Sequence, residues 1–158
     1  MKGNPKVIAA LNEALQEELL AINQYFLHAE MCENWKYEAL AKFIQKQSID
    51  EMKHAERLIE RILFLDATPT LTGPTQLYVG KNVKEQLASD LELELKAVKM
   101  YNHAVKLSRD EADNTSAELF EDLLEDEEEH VDWLEAQIHQ IAEIGYERYL
   151  SEKIKKED

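Results

Sequence analysis

Residues 49–55 read Ile-Asp-Glu-Met-Lys-His-Ala, and residues 126–134 read Asp-Glu-Glu-Glu-His-Val-Asp-Trp-Leu. Each stretch holds a Glu-x-x-His step, Glu51 with His54 and Glu127 with His130, and the second step lies 76 residues after the first. A further glutamate precedes each step at one shared distance: Glu18 stands 33 residues before Glu51, and Glu94 stands 33 before Glu127. Two displaced copies of this triplet supply four carboxylates and two imidazoles, the ligand set of a two-metal centre inside a four-helix bundle.

The repeat also runs through the apolar residues. Leu11, Leu15, Glu18, Ile22, Tyr25 and Ala29 align with Leu87, Leu91, Glu94, Val98, Tyr101 and Val105. Ile44, Glu51, His54, Leu58, Ile62 and Leu65 align with Phe120, Glu127, His130, Leu134, Ile138 and Ile141. Each series steps mostly by three or four, the period of one buried helical stripe. The six candidate ligands therefore belong to the seam that faces a core.

The 158 residues suit one domain, with a bundle over about 4–145 and a short terminal helix over about 146–155. Only four glycines and three prolines are present, and none falls inside the four periodic stretches, so the helices are long and unbroken. The fold class read from this is all-α. Asn4 before Pro5 predicts the start of a first helix that runs to about Met31. A turn at Glu33–Trp35 precedes a second helix from Lys36 to Asp66. Residues 67–81 form a linker without a helix, long enough to cross the bundle lengthwise. Asn82 with Glu85 opens a third helix to Asp110; Thr115 with Glu118 opens a fourth, which Gly145 ends. Two hairpins joined by one long crossover place the two triplets opposite each other about a pseudo-twofold axis.

The formal charge of −15 disfavours nucleic acid, whose phosphates need a basic footprint, and favours cations. Acidity alone also keeps a soluble protein dispersed. The lone Cys32 allows no disulfide within the chain and no Cys-x-x-Cys metal site. No run is apolar enough for a signal peptide or a bilayer span, which makes a cytoplasmic location, away from membranes, the expectation.

Four glutamates on core positions without cations would be costly enough that most would be protonated. Two divalent ions offset four carboxylates, and one imidazole per ion completes the shell, a ligand chemistry that suits iron or manganese. By the symmetry, Glu51 and Glu127 bridge two ions; Glu18 and His54 are terminal on one, Glu94 and His130 on the other. Tyr25 and Tyr101 stand two turns after Glu18 and Glu94, where each either donates a hydrogen bond to a ligand across the bundle or is a packed aromatic. Asp50 and Asp126 precede the two Glu-x-x-His glutamates, either as supports for the ligands or as solvated residues. His28, His103 and His139 read as packing or surface residues. Met52 projects about 100° away from the metal seam, toward an apolar interface or a bound group.

Over essentially its whole length the chain resembles bacterioferritin. The resemblance is carried by Ile49–Ala55, by Asp126–Leu134, by Met1–Gly3 with Lys6–Ile8, and by Ala21–Ala29. It implies the ferritin-like four-helix bundle and a hollow homo-oligomeric shell of 24 subunits that stores ferric mineral. It implies a ferroxidase centre of two iron ions per subunit held by Glu18, Glu51, His54, Glu94, Glu127 and His130, with Tyr25 beside it, acting on Fe(II) with dioxygen or hydrogen peroxide. It also implies a b-type haem shared by two subunits with Met52 as axial ligand, and a small ferredoxin as electron donor for iron release. Some relatives carry histidine at position 46 on the cavity side; Lys46 here puts an inner-surface iron site at Asp50 in doubt. Three rival readings share parts of this pattern: a di-iron or di-manganese oxidase or peroxidase, a haem-free ferritin shell, and a DNA-protecting mini-ferritin. The last uses a site between subunits, whereas here one chain carries the whole ligand set.

Overall fold

The computed structural model describes residues 1–71 and 76–155. Five helices account for its regular structure: α1 (Pro5–Asn34), α2 (Glu38–Phe64), α3 (Val83–Asp110), α4 (Asn114–Ile144) and α5 (Tyr146–Ser151). The first four are the predicted bundle.

The helix starts follow side-chain capping. Asn4 accepts from the backbone N–H groups of Lys6 and Val7, and Asn82 accepts from that of Glu85, as the sequence predicts. The start of α4 differs from expectation. Asp113, not Thr115, is its cap: the Asp113 carboxylate accepts from the Ser116 N–H at 3.0 Å and from Arg61 at 2.8 Å. Burial pushes the Asp113 carboxyl up, but the Ser116 hydroxyl and N–H and the Arg61 guanidinium together hold it below its usual value.

Three helix ends share one device. The N–H groups of Tyr37, Ala67 and Asp113 reach back to the carbonyls of Cys32, Ile62 and Ser108. Lys36, Asp66 and Ala112 take the left-handed conformation this closure requires, at φ of 67°, 56° and 59°. None is glycine, so the sequence carried no stop signal there. α1 accordingly runs three residues past Met31, and α2 spans 38–64 rather than 36–66. α5 ends at Ser151, short of the predicted 155.

The crossover climbs α1. Thr70 N–H donates to Asn12, Tyr78 N–H to Gln24 and Gly80 N–H to His28, at 2.7, 3.3 and 3.1 Å. At Gly80 an added Cβ would lie 2.3 Å from the Gln86 backbone nitrogen, so only glycine passes there. Residues 72–75 of the predicted linker, and 156–158 of the predicted domain, lie outside the described residues. The resulting direction is up in α1, down in α2, up along the linker, down in α3 and up in α4, the single-crossover connectivity of ferritin-like bundles.

Two apolar clusters fill the bundle ends. One includes Leu11, Leu15, Leu58, Ile62, Tyr101 and Phe120; the other includes Tyr25, Ala29, Ile44, Leu87, Leu134 and Ile141. On α1 the buried members of the first end at Leu15 and those of the second begin at Ala21, which leaves Glu18 between them. One member of the predicted stripe departs: Ile138 is 36% exposed, whereas its repeat mate Ile62 is fully buried.

Candidate metal centre

Each long helix delivers to one level: α1 gives Glu18, α3 gives Glu94, α2 gives Glu51 and His54, and α4 gives Glu127 and His130. The (i, i+3) spacing places glutamate and histidine on one helix face. All six side chains are buried, between 1% and 7% exposed.

Their donor atoms form two groups, each within 4.8 Å: Glu18, Glu51, His54 and Glu127, and Glu51, Glu94, Glu127 and His130. Glu51 and Glu127 belong to both. His54 Nδ1 lies 2.9 Å from Glu127, 3.5 Å from Glu18 and 3.6 Å from Glu51. His130 Nδ1 lies 2.9 Å from Glu51, 3.4 Å from Glu94 and 3.5 Å from Glu127. The pseudo-twofold inferred from the repeat thus holds in the ligand layer to about a tenth of an ångström.

Both tyrosines reach across the bundle. Tyr25 Oη donates to Glu94 and Tyr101 Oη donates to Glu18. Burial first, and then Glu94 or Glu18 respectively, pushes each phenol well above its ordinary value, so each remains a donor.

Without cations this layer holds protons. Burial, and then the charge of Glu127, raises Glu18 and Glu94. Burial and then Glu18 push Glu51 up to about 8. Burial lowers both histidines, but the carboxylates close around them outweigh it; His54 is raised and His130 is pushed up to about 12. Even so, Glu18 Oε2, Glu51 Oε1, Glu94 Oε2 and His130 Nδ1 have no hydrogen-bond partner. His130 Nδ1 and Glu51 Oε1 are close, yet their approach is too poorly angled to satisfy either. Buried polar atoms are normally paired. A pair of hard-to-borderline cations is what these oxygens and nitrogens lack, and the donor set fits it.

The remaining predicted residues separate. Asp126 accepts from His54 Nε2 at 2.9 Å, whereas Asp50 has Lys53 as its neighbour, at 3.9 Å. Both aspartates line a 380 Å³ cavity above the two imidazoles, with Lys53, Arg57 and Glu129. Met52 is outside the centre and 48% exposed, flanked in exposure by Ile49 and Phe26. The Ser48 hydroxyl bonds the Ile22 carbonyl at 2.8 Å and holds this turn of α2 against α1. His103 and His139 are exposed, as expected for surface residues, and Lys46 is exposed as well.

A second polar cluster went unread in the sequence. His28 is fully buried and pairs through Nδ1 with Asp90 at 2.9 Å, while its Nε2 accepts from Gly80 N–H. Gln24 also donates to Asp90, at 2.8 Å. The signal was present: Asp90 stands four residues before Glu94, on the same helix face.

Residues 8–144 match the ferritin-like domain family. The chain is 46% identical to a bacterioferritin of Brucella melitensis over 149 residues, 94% of this chain and 92% of that one. It is 44% identical to a bacterioferritin of Streptomyces coelicolor over 151 residues, 96% of this chain and 90% of the relative. A bacterioferritin of Mycolicibacterium paratuberculosis is 42% identical over 149 residues, 94% of each chain.

Proposed function

The chain belongs to the bacterioferritins of the ferritin-like family, and from that premise we propose that it stores iron by oxidising Fe(II) at the mid-bundle centre. One observation carries the reading: two buried four-residue donor groups share Glu51 and Glu127. Two Fe(II) ions are the substrate. Glu18 and His54 hold one, Glu94 and His130 the other, and the shared glutamates lie between them. Two ions bring four positive charges to four carboxylates, which removes the reason for those groups to keep protons.

The balance is simple. Each Fe(II) gives up one electron; dioxygen takes both, with two protons, and leaves as hydrogen peroxide. Hydrogen peroxide as oxidant takes two electrons and two protons and leaves as two waters. The buried site excludes bulk solvent, and Tyr25 and Tyr101 fix the terminal carboxylates. The 380 Å³ cavity over the imidazoles is lined by Asp50, Lys53, Arg57, Asp126 and Glu129. Such charged walls suit ions, which favours a ferroxidase over an oxidase with an organic substrate.

The chain acts as one domain and assembles into a 24-subunit shell with a ferric mineral inside. Met52, an exposed methionine of α2 as Ile49 is an exposed isoleucine one turn earlier, fits an axial ligand to a b-type haem at a twofold contact. Thioether ligation favours the ferrous haem, which supplies an electron path for iron release with a small ferredoxin as donor.

Stopped-flow oxidation of Fe(II) tests the centre. Glu18→Ala and Glu94→Ala are expected to abolish the rapid phase, and unchanged initial rates would refute the assignment. Size exclusion should show a particle of several hundred kilodaltons. Reduced protein expressed with haem should show sharp cytochrome bands that Met52→Leu removes.

A further inference from the structure

The two metal positions match in their ligands and differ in what stands behind them. His54 presents Nδ1 to the carboxylates and donates Nε2–H to Asp126 at 2.9 Å. The repeat mate of Asp126 is Asp50, which should support His130 in the same way. Its carboxylate instead has Lys53 as its neighbour, at 3.9 Å. The ring orientations record the difference. His54 Nδ1 makes a well-formed hydrogen bond to Glu127, whereas His130 Nδ1, at the equal distance of 2.9 Å from Glu51, makes none.

The sequence explains the split. Position 53 is lysine and its repeat mate, position 129, is glutamate; each stands three residues after its aspartate, on the same helix face. Lys53 offers Asp50 a cation on its own helix. Glu129 offers Asp126 none, and the Asp126 carboxylate takes the His54 ring instead. All four residues line the cavity above the imidazoles. A carboxylate on the far nitrogen fixes the tautomer and the ring angle of a ligating histidine and raises its basicity.

We propose that Asp126 is a positioning residue that makes the two metal positions unequal, the Glu18/His54 position binding first and more tightly than the Glu94/His130 position, with Lys53 and Glu129 setting that order. The inference rests on the two-ion reading of the centre.

Anaerobic titration of the metal-free assembled protein with Co(II), followed by visible absorption and calorimetry, tests both. Wild-type protein should take up two ions per subunit in two resolved steps. Glu94→Ala should keep the tight step and Glu18→Ala should lose it, which assigns the steps. Asp126→Ala should weaken the tight step about ten- to a hundredfold, the usual consequence of losing such a support. Asp126→Asn, whose side-chain oxygen still accepts from Nε2–H, should restore part of the loss. Asp50→Ala should leave both steps alone. Lys53→Glu, by freeing Asp50, should tighten the weak step, and Glu129→Lys should weaken the tight one.

Two ions bound with equal constants, or equal losses in Asp126→Ala and Asp50→Ala, would overturn the inference while leaving the two-ion reading intact. A wild-type protein that takes up no Co(II) would overturn both. Retained tight binding in Asp126→Ala with a native melting profile would assign that carboxylate to the surface alone.

Discussion

Two buried clusters of charge sit one helical turn apart on α3, and only one of them is finished. Around Asp90 the oxygens accept from Gln24 and His28, His28 accepts from Gly80 N–H, and Gln86 bonds Gly80 and Cys32. Around Glu94 the oxygens and nitrogens outnumber the hydrogens available to join them. Among the described residues, the buried side-chain atoms without a partner include four from the metal centre and none from the Asp90 cluster. Burial and charge mark both places equally. Satisfaction separates them: a closed network pins the crossover to the bundle, and an open one could hold cations.

The largest expected effect comes from neutralising one carboxylate in each cluster. Asp90→Asn keeps one oxygen for Gln24 and His28 but turns the other into a donor among donors and removes the charge that both receive. A buried donor left without an acceptor costs about 1–3 kcal/mol, and each kcal/mol lowers Tm by roughly 2–4 °C at this chain length. Glu94→Gln replaces a carboxyl that burial and Glu127 already push toward its neutral form, and the amide oxygen can still receive the Tyr25 hydroxyl. Thermal melts of metal-free protein should show a large drop for Asp90→Asn and a change within about 1 kcal/mol for Glu94→Gln. Ferrous oxidation should respond in the opposite order. Similar melting losses for both would erase the distinction.

The same contrast explains what the sequence disclosed. The open cluster is written twice, so a search for repetition finds it with all six ligands. Asp90, His28 and Gln24 have Ala14, Ala104 and Met100 as repeat mates, and a reading built on symmetry passes over them. Bundle topology was legible because hydrophobic period and capping asparagines agree. The ends of α1 and α2 were not, because Lys36 and Asp66 adopt a left-handed conformation that sequence normally advertises with glycine. Asp50 and Asp126 looked equivalent, and only the charge three residues further on separates them.

An intermediate effect should appear in the pH dependence. Glu51 is pushed up to about 8 by burial and then by Glu18, from an ordinary value of 4.5. The folded metal-free chain therefore keeps a proton there that the unfolded chain has released. That contribution to stability is complete below about pH 4.5 and is lost as pH rises toward about 8. Metal binding must displace the proton, so Co(II) affinity should rise across the same interval. Glu51→Gln should flatten the stability slope of metal-free protein relative to wild type, and Asp90→Asn should leave it in place. A wild-type slope indistinguishable from that of Glu51→Gln would mean that the centre holds no such proton.

The smallest effect concerns the tyrosines, which touch the open cluster but belong to the packed core. Tyr25 donates to Glu94 and Tyr101 to Glu18, and in the metal-free protein each bond partly answers an otherwise unsatisfied carboxylate. Once ions bind, the same hydroxyl holds the carboxylate at the angle the ion requires. A hydrogen bond to a charged group contributes about 1.5–3 kcal/mol. Tyr25→Phe should therefore lower Co(II) affinity about tenfold at the Glu94/His130 position only, and Tyr101→Phe should do so at the Glu18/His54 position only. The metal-free melting temperature should move far less than in Asp90→Asn. A Tyr25→Phe protein as destabilised without metal as Asp90→Asn would place that hydroxyl among the structural bonds, and the boundary between finished and open clusters would have to be drawn one residue further in.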